Sequence, residues 1–202
     1  MSSSQSLSRE SIAATAITIA DAEGFESVSM RRIAQDLGVG TMSLYYYVKT
    51  KTDLVGAMDD AIMAEVLVPS LPSNWRAALL AIATRTRDAF MRHPWALHSM
   101  LAVAPGVNAM RHFEQCLQAL AETALTNREK LTLLATVDDF VFGYALREAG
   151  TQKKVDPDFA KSQLATGEYP RLAEVFRETR VAASSDRFRV GLGLILDMVP
   201  EG

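Results

Sequence analysis

Apolar residues recur every three or four positions along almost the whole chain, and no run alternates apolar and polar residues over the length of a strand. The pattern predicts an all-α protein. Ser8 is suited to cap a first helix reaching about Glu23, with Ile12, Ala16, Ile19 and Ala20 on one face and Gly24 as its stop. A second helix opens at Ser29, buries Ile33, Ala34 and Leu37, and ends at Gly38. Val39 and Gly40 make a turn into a short third helix, Thr41 to Val48. A fourth begins at Thr50, where "TKTD" places Asp53 to complete a capping box, and runs through Leu54, Met58, Ala61 and Ile62 to end before Pro69.

"PSLPSN", Pro69 to Asn74, cannot extend a helix and marks the best boundary. It divides the chain into an N-terminal helix-turn-helix domain, residues 1–68, and a larger helical domain, residues 69–202. In the second part the periodicity predicts helices near Asn74 to Arg92, Trp95 to Ala102, Val107 to Ala124 and Arg128 to Ala149. The last of these has a capping box, Thr126 to Glu129, and Gly150 as its stop. A polar loop, Gly150 to Asp158, leads to helices near Phe159 to Ala165, Pro170 to Ala183 and Arg187 to Val199.

Composition narrows the class. Hydrophobic residues make up 49% of 202 and charged residues 22%, the balance of a globular protein able to bury a core. Cys116 is the only cysteine, which excludes an intrachain disulfide and reads as a small buried apolar residue. "MSSSQS" lacks the basic start and apolar run of a signal peptide, and no stretch reaches the roughly 18 apolar residues of a membrane span. A soluble cytoplasmic protein with no membrane partner is expected. The net charge of −3 argues against binding nucleic acid through overall charge. Locally the balance reverses, because Ser29 to Thr52 carries Arg31, Arg32, Lys49 and Lys51 against the single carboxylate of Asp36.

That basic stretch contains "GVGTMSLYYYVKTKTDL", three tyrosines and two lysines where core packing would ask for Leu or Ala. Two short amphipathic helices joined by a turn with Gly38 describe a helix-turn-helix, whose second helix enters the major groove. Leu44 and Val48, four apart, can face inward, which turns Thr41, Met42, Ser43, Tyr46 and Tyr47 outward. Thr41 and Ser43 are small enough to approach base edges, and Met42 can contact a thymine methyl. A tyrosine ring packs on sugar or helix while its hydroxyl reaches a phosphate oxygen. Lys49 and Lys51 lie beside the positive start of the fourth helix, where phosphate is favoured.

"SMRRIAQDLGVGTMSLYYYVKTKTDL" resembles the DNA-binding domain of the TetR family of bacterial repressors, over about Leu7 to Met63. "HPWALHSML", "FVFGYALRE" and "RFRVGLGLILDMV" resemble, more loosely, the C-terminal domain of the branch containing the tetracycline repressor. The resemblance implies base or near-base contacts from Arg31, Thr41, Met42 and Ser43, and phosphate contacts from Ser29, Tyr45, Tyr46, Tyr47 and Lys51. Of the tyrosines, Tyr45 is the one best suited instead to pack against a neighbouring helix.

One short helix covers too little of the groove for specificity, so a homodimer is expected. Its interface is expected from Arg128 to Ala149 and the final helix, through Phe188, Leu192, Ile195, Leu196 and Val199, with Gly191 and Gly193 admitting a second backbone. A small-molecule effector pocket is expected from Phe90, Trp95, Met100, Phe113, Phe140 and Tyr144, with His98, Asn108, His112 and Asp139 as polar members. No metal or cofactor is expected. Asp138 and Asp139 are adjacent and diverge on a helix, and His93, His98 and His112 lack metal-ligand spacing. Arg147 stands where the resemblance implies a glutamate of a drug-bound magnesium site, with Glu148 one residue away on another face. The expected function is a ligand-responsive transcriptional regulator, a repressor released from a palindromic operator. An all-helical enzyme using the apolar pocket finds no nucleophile and base pair, phosphate loop or metal motif. A DNA-binding protein without an effector would have a packed C-terminal domain with no cavity.

Overall fold

The computed structural model describes residues 6–150, 156–178 and 184–199. Among these there are helices, turns and no strand. The order is α1 (Arg9–Glu23), a 3-10 turn (Phe25–Ser27), α2 (Met30–Leu37), α3 (Thr41–Leu44), α4 (Lys51–Val66), α5 (Trp75–Arg92) and α6 (Ala96–Ser99). It continues with α7 (Val107–Ala119), α8 (Asn127–Ala149), α9 (Pro157–Ala165), α10 (Pro170–Glu178) and α11 (Ser184–Asp197).

Most helix starts lie where a side chain can satisfy the free amides of a first turn. Ser8 and Ser11 form a reciprocal capping box on α1, Thr50 and Asp53 on α4, and Thr126 and Glu129 on α8. Ser29 accepts from the Arg32 amide at 3.2 Å and Asn74 from the Ala77 amide at 3.0 Å. Gly38 ends α2 in the left-handed region, φ 65° and ψ 29°. A Cβ there would meet nothing within 4 Å, so its cost is conformational alone. Gly38→Ala is expected to lower stability by about 1 kcal/mol, read as a fall in the urea midpoint at unchanged slope.

Three helices differ from their sequence expectation. α3 stops at Leu44 rather than Val48, because the next turn tightens through a Tyr47 amide bond to the Leu44 carbonyl at 2.9 Å. The Val48 amide also reaches Leu44, so the inward pair survives and both side chains are completely buried. α6 covers only Ala96–Ser99, and α7 ends at Ala119 because Leu120 turns into the core with no exposed surface. The segment 179–183 expected to finish α10, and 151–155 of the expected polar loop, lie outside the described residues.

α1 packs on α2 and α4, α4 packs on α7 and α5, and α5 packs on α8, with α11 laid against α8 and α5. One apolar core is continuous from Ile12, Ile33, Leu44 and Met58 to Phe90, Val141, Phe188 and Leu192. The helix that starts beside the basic stretch is therefore also the floor of the C-terminal half. α9 and α10 pack on each other.

Candidate functional site

Burial of Leu44 and Val48 in the core, with α3 packed on α2, orients the rest of the α3 region. Met42 is 80% exposed and Tyr46 83%, while Arg31, Ser43, Lys49 and Lys51 are also exposed and Thr41 half-buried at the rim. These residues share one surface, a small polar and aromatic ridge with three flanking cations. Tyr47, not Tyr45, is the tyrosine that packs against the core, with Tyr46 edge-on to it at 5.1 Å. Tyr45 is exposed because it follows the buried Leu44 directly and points off the inward face. Ser29 uses its hydroxyl oxygen as the α2 cap. Arg32 is committed to Glu23 at 2.7 Å and to Asp36, which leaves Arg31 as the unpaired cation of that pair.

Behind this surface lies a joint that the periodicity did not single out. Asp21, near the end of α1, accepts from the His93 ring Nδ1 at 2.9 Å and from the Trp95 indole N–H at 2.8 Å. The Trp95 ring stacks on Phe25 at 5.4 Å, and Lys51 Nζ lies 5.9 Å from the centre of that same Phe25 ring. Trp95, expected in an effector pocket, is instead a contact between the two halves. The signal was available only as "HPW" opposite an acidic helix end, and nothing in sequence spacing pairs those segments.

The other expected effector residues do not line one cavity. Phe90 is 1% exposed and packs edge-on against Phe142 at 4.7 Å. His98, Phe113 and Asp139 are exposed. His112 is buried, with its Nε2 3.8 Å from Cys116 Sγ, and burial holds its pKa below the usual value. The same burial, with the Asp138 charge second, pushes the Cys116 thiol up to about 12, so it is inert. Asn108 donates its backbone and side-chain amides to Asp60 at 2.7 and 3.0 Å, beside a cleft of about 470 Å³ between α1, α4 and α7. Met100 lines a separate cavity of about 210 Å³ with Asp59 and Met63. Phe140 and Tyr144 line a third, about 190 Å³, with Arg147, Glu148 and Arg187. The aromatic bulk is spent largely on packing, and two of these three spaces lie along α4. Among the described residues no group of three His, Cys, Asp or Glu is placed to hold a metal ion.

The expected dimer-facing residues are corrected more sharply. Phe188 and Leu192 have no exposed surface and Leu196 is 4% exposed, while Ile195 and Val199 are half-buried against the core. Phe188 packs on Tyr144 at 5.1 Å and Phe140 at 5.5 Å, all within one chain. A Cβ on Gly191 would come within 2.9 Å of Phe140, so this glycine admits a ring of its own chain rather than a second backbone. The free face of α11 is Val190 and Leu194, continued by Met198 in the turn just after it, spaced by four and 62%, 66% and 82% exposed. α8 adds Leu131 and Leu146, each about half exposed.

Residues 12–58 match the bacterial regulatory proteins of the tetR family, and residues 68–200 match the tetracyclin repressor-like C-terminal domain. The chain belongs to the TetR family. Over 95% of its length it is 35% identical to the HTH-type transcriptional repressor DrrR1 of Streptomyces coeruleorubidus, covering 76% of that protein. ActR of Streptomyces coelicolor in complex with (S)-DNPA superimposes with a TM-score of 0.78 at 28% identity, over 96% of this chain and 97% of that one. ActR in complex with actinorhodin gives 0.77 at 26% identity, over 96% and 97%. As a TetR-family protein the chain is a ligand-responsive, DNA-binding transcriptional repressor. No described helix is long and apolar enough to cross a membrane.

Proposed function

We propose that the dimer carries two α2–α3 reading heads into successive major grooves of a palindromic operator, with half-sites about 34–36 Å apart. In each head Arg31, Thr41, Met42 and Ser43 face base edges, and Tyr45, Tyr46, Lys49 and Lys51 hold phosphates. Ser29 and Tyr47 support that surface from its edge. The observation that carries the reading is the exposed set Met42, Ser43, Tyr45 and Tyr46 around the buried pair Leu44 and Val48. Residues 1–68 act as the reading domain and 69–202 as the effector and dimer domain, with α8 and the free face of α11 meeting the second copy. An effector favours the state in which the heads no longer match the grooves, and operator DNA then weakens effector binding by the same factor. The protein carries out no catalysis and acts in the cytoplasm, where its operator is.

Fluorescence anisotropy with DNA from the upstream region of its own gene, at two salt concentrations with excess competitor, tests this. Tight, competitor-resistant binding is expected; weak binding abolished by salt would leave phosphate attraction alone. In the same assay Tyr46→Ala and Lys51→Ala are each expected to cost roughly 1–2 kcal/mol, about tenfold in affinity. Sedimentation should show both variants still dimeric. Unchanged affinity would remove that residue from the interface.

A further inference from the structure

Asp59 stands in the middle of α4 on its inward face, only 8% exposed. Its Oδ1 accepts a 2.6 Å hydrogen bond from the Ser99 hydroxyl of α6. Its Oδ2 is sheltered from solvent and has no donor. A carboxylate buried and half satisfied is costly, because it has lost water without gaining a full set of partners. Burial raises its pKa to about 6 against the opposing Ser99 bond, so near neutral pH most of it still carries the charge. Neither the DNA-reading surface nor the joint at Asp21 uses this group, and packing alone would be better served there by Ala or Leu.

Asp59 lines the cavity of about 210 Å³ with Met63, Met100, Val103, Pro105 and Ala109. The other acid of that wall, Asp60, is engaged by Asn108 at 2.7 and 3.0 Å. No Lys, Arg or His lines the space. A mostly apolar cleft backed by one acid that has no ion partner is the complement of an apolar group carrying a cation. The volume is below that of pockets that enclose a whole drug-sized ligand, so it suits one end of a molecule.

We propose that this cavity receives the protonated amine end of the effector, with the nitrogen paired to Asp59 and the adjoining hydrocarbon lying among Met63, Met100 and Val103. The assignment rests on the ligand-responsive reading above and names the ligand class. One wall is the non-helical connection between α6 and α7, which gives way as the ammonium approaches Oδ2. Asp59 belongs to the helix that begins at Lys51 and packs on α1, so pairing at this point moves α4 relative to α6 and changes how the reading heads are held.

Isothermal titration of phenethylamine, and of phenethyl alcohol as its neutral counterpart, into the full-length dimer tests the site. Phenethylamine should bind the wild type saturably at millimolar concentration or below, and at least about tenfold more weakly to Asp59→Asn, which keeps an acceptor for Ser99. The alcohol should not distinguish the two proteins. Equal binding of the amine to both, or no saturable binding to the wild type, overturns the assignment. If Asp59→Asn does not fold, Val103→Phe, on the loop wall, must block the amine; amine binding undiminished by it overturns the site. Operator anisotropy on the same samples separates the two readings. Operator binding without amine binding sinks the amine site alone. Amine binding without operator binding sinks the regulatory reading and leaves the site a binding site but not an effector site.

Discussion

Leu194→Glu is expected to produce a folded monomer that has lost at least about a hundredfold in operator affinity, because two linked half-site contacts become one. Leu194 is the centre of the Val190, Leu194 and Met198 stripe, and the opposite face of α11 is consumed by its own protomer. A stripe of large apolar side chains on a helix whose other face is already packed is what a second subunit covers. A carboxylate at its centre would be buried unpaired on association, which costs several kcal/mol on each side of a two-fold interface. The fold of the monomer is untouched, since Leu194 is 66% exposed in it. Phe188→Ala is the contrast. It opens a void beside Phe140 and Tyr144 and should destabilise the fold by about 3–5 kcal/mol before it affects association. Sedimentation and thermal melting distinguish the two outcomes, and a Leu194→Glu protein that remains dimeric would remove the α11 stripe from the interface.

Asp21→Ala is expected to lower stability by about 2–4 kcal/mol and to weaken induction more than it weakens operator or effector binding taken singly. Its carboxylate receives both the His93 ring and the Trp95 indole, and removing it strands the buried His93 donor and breaks the Trp95 bond. His93 is 6% exposed, so water does not replace the lost acceptor easily. The joint ties α1 to the start of α6 and, through the Phe25 and Trp95 stack, reaches the position of Lys51. Loosening it lets the reading head and the C-terminal half move independently. The measurement is operator affinity with and without saturating inducer, beside a thermal melt of the same samples. An Asp21→Ala protein with wild-type stability and a wild-type induction ratio would show that coupling runs through α4 alone.

Helix starts and the exposed side chains around α3 were legible because their causes are local. Ser8, Ser29, Thr50, Asn74 and Thr126 cap the helices they precede, and Gly38 ends α2, each through bonds to residues within a few positions. The Leu44 and Val48 spacing likewise orients Met42, Ser43 and Tyr46 without reference to any distant residue. The exchange of Tyr45 for Tyr47 as the packed tyrosine comes from the tightening after Leu44, which shifts the direction of each following side chain.

α11 shows where periodicity stops informing. It carries two apolar stripes with the same spacing and similar bulk, one of Phe188, Leu192 and Leu196, the other of Val190 and Leu194 continued by Met198 just past its end. Sequence alone ranks neither as inner or outer, because burial depends on which stripe meets α5 and α8. The effector candidates failed to converge for a related reason. Aromatic residues satisfy one another when helices bring them together, so Phe90 packs on Phe142, and Phe140 packs on Phe188 at the edge of only a small cavity.

The sequence by itself determined an all-helical chain, its helix starts, its family and the side chains left exposed around α3, since these follow from contacts within one or two turns. Tertiary structure alone decided that Asp59 is sheltered with an open lone pair, that Asp21 meets His93 and Trp95 across more than seventy residues, and which face of α11 is free. Those properties are made by segments distant in the chain, and burial, desolvation and long-range pairing exist only once the segments have met.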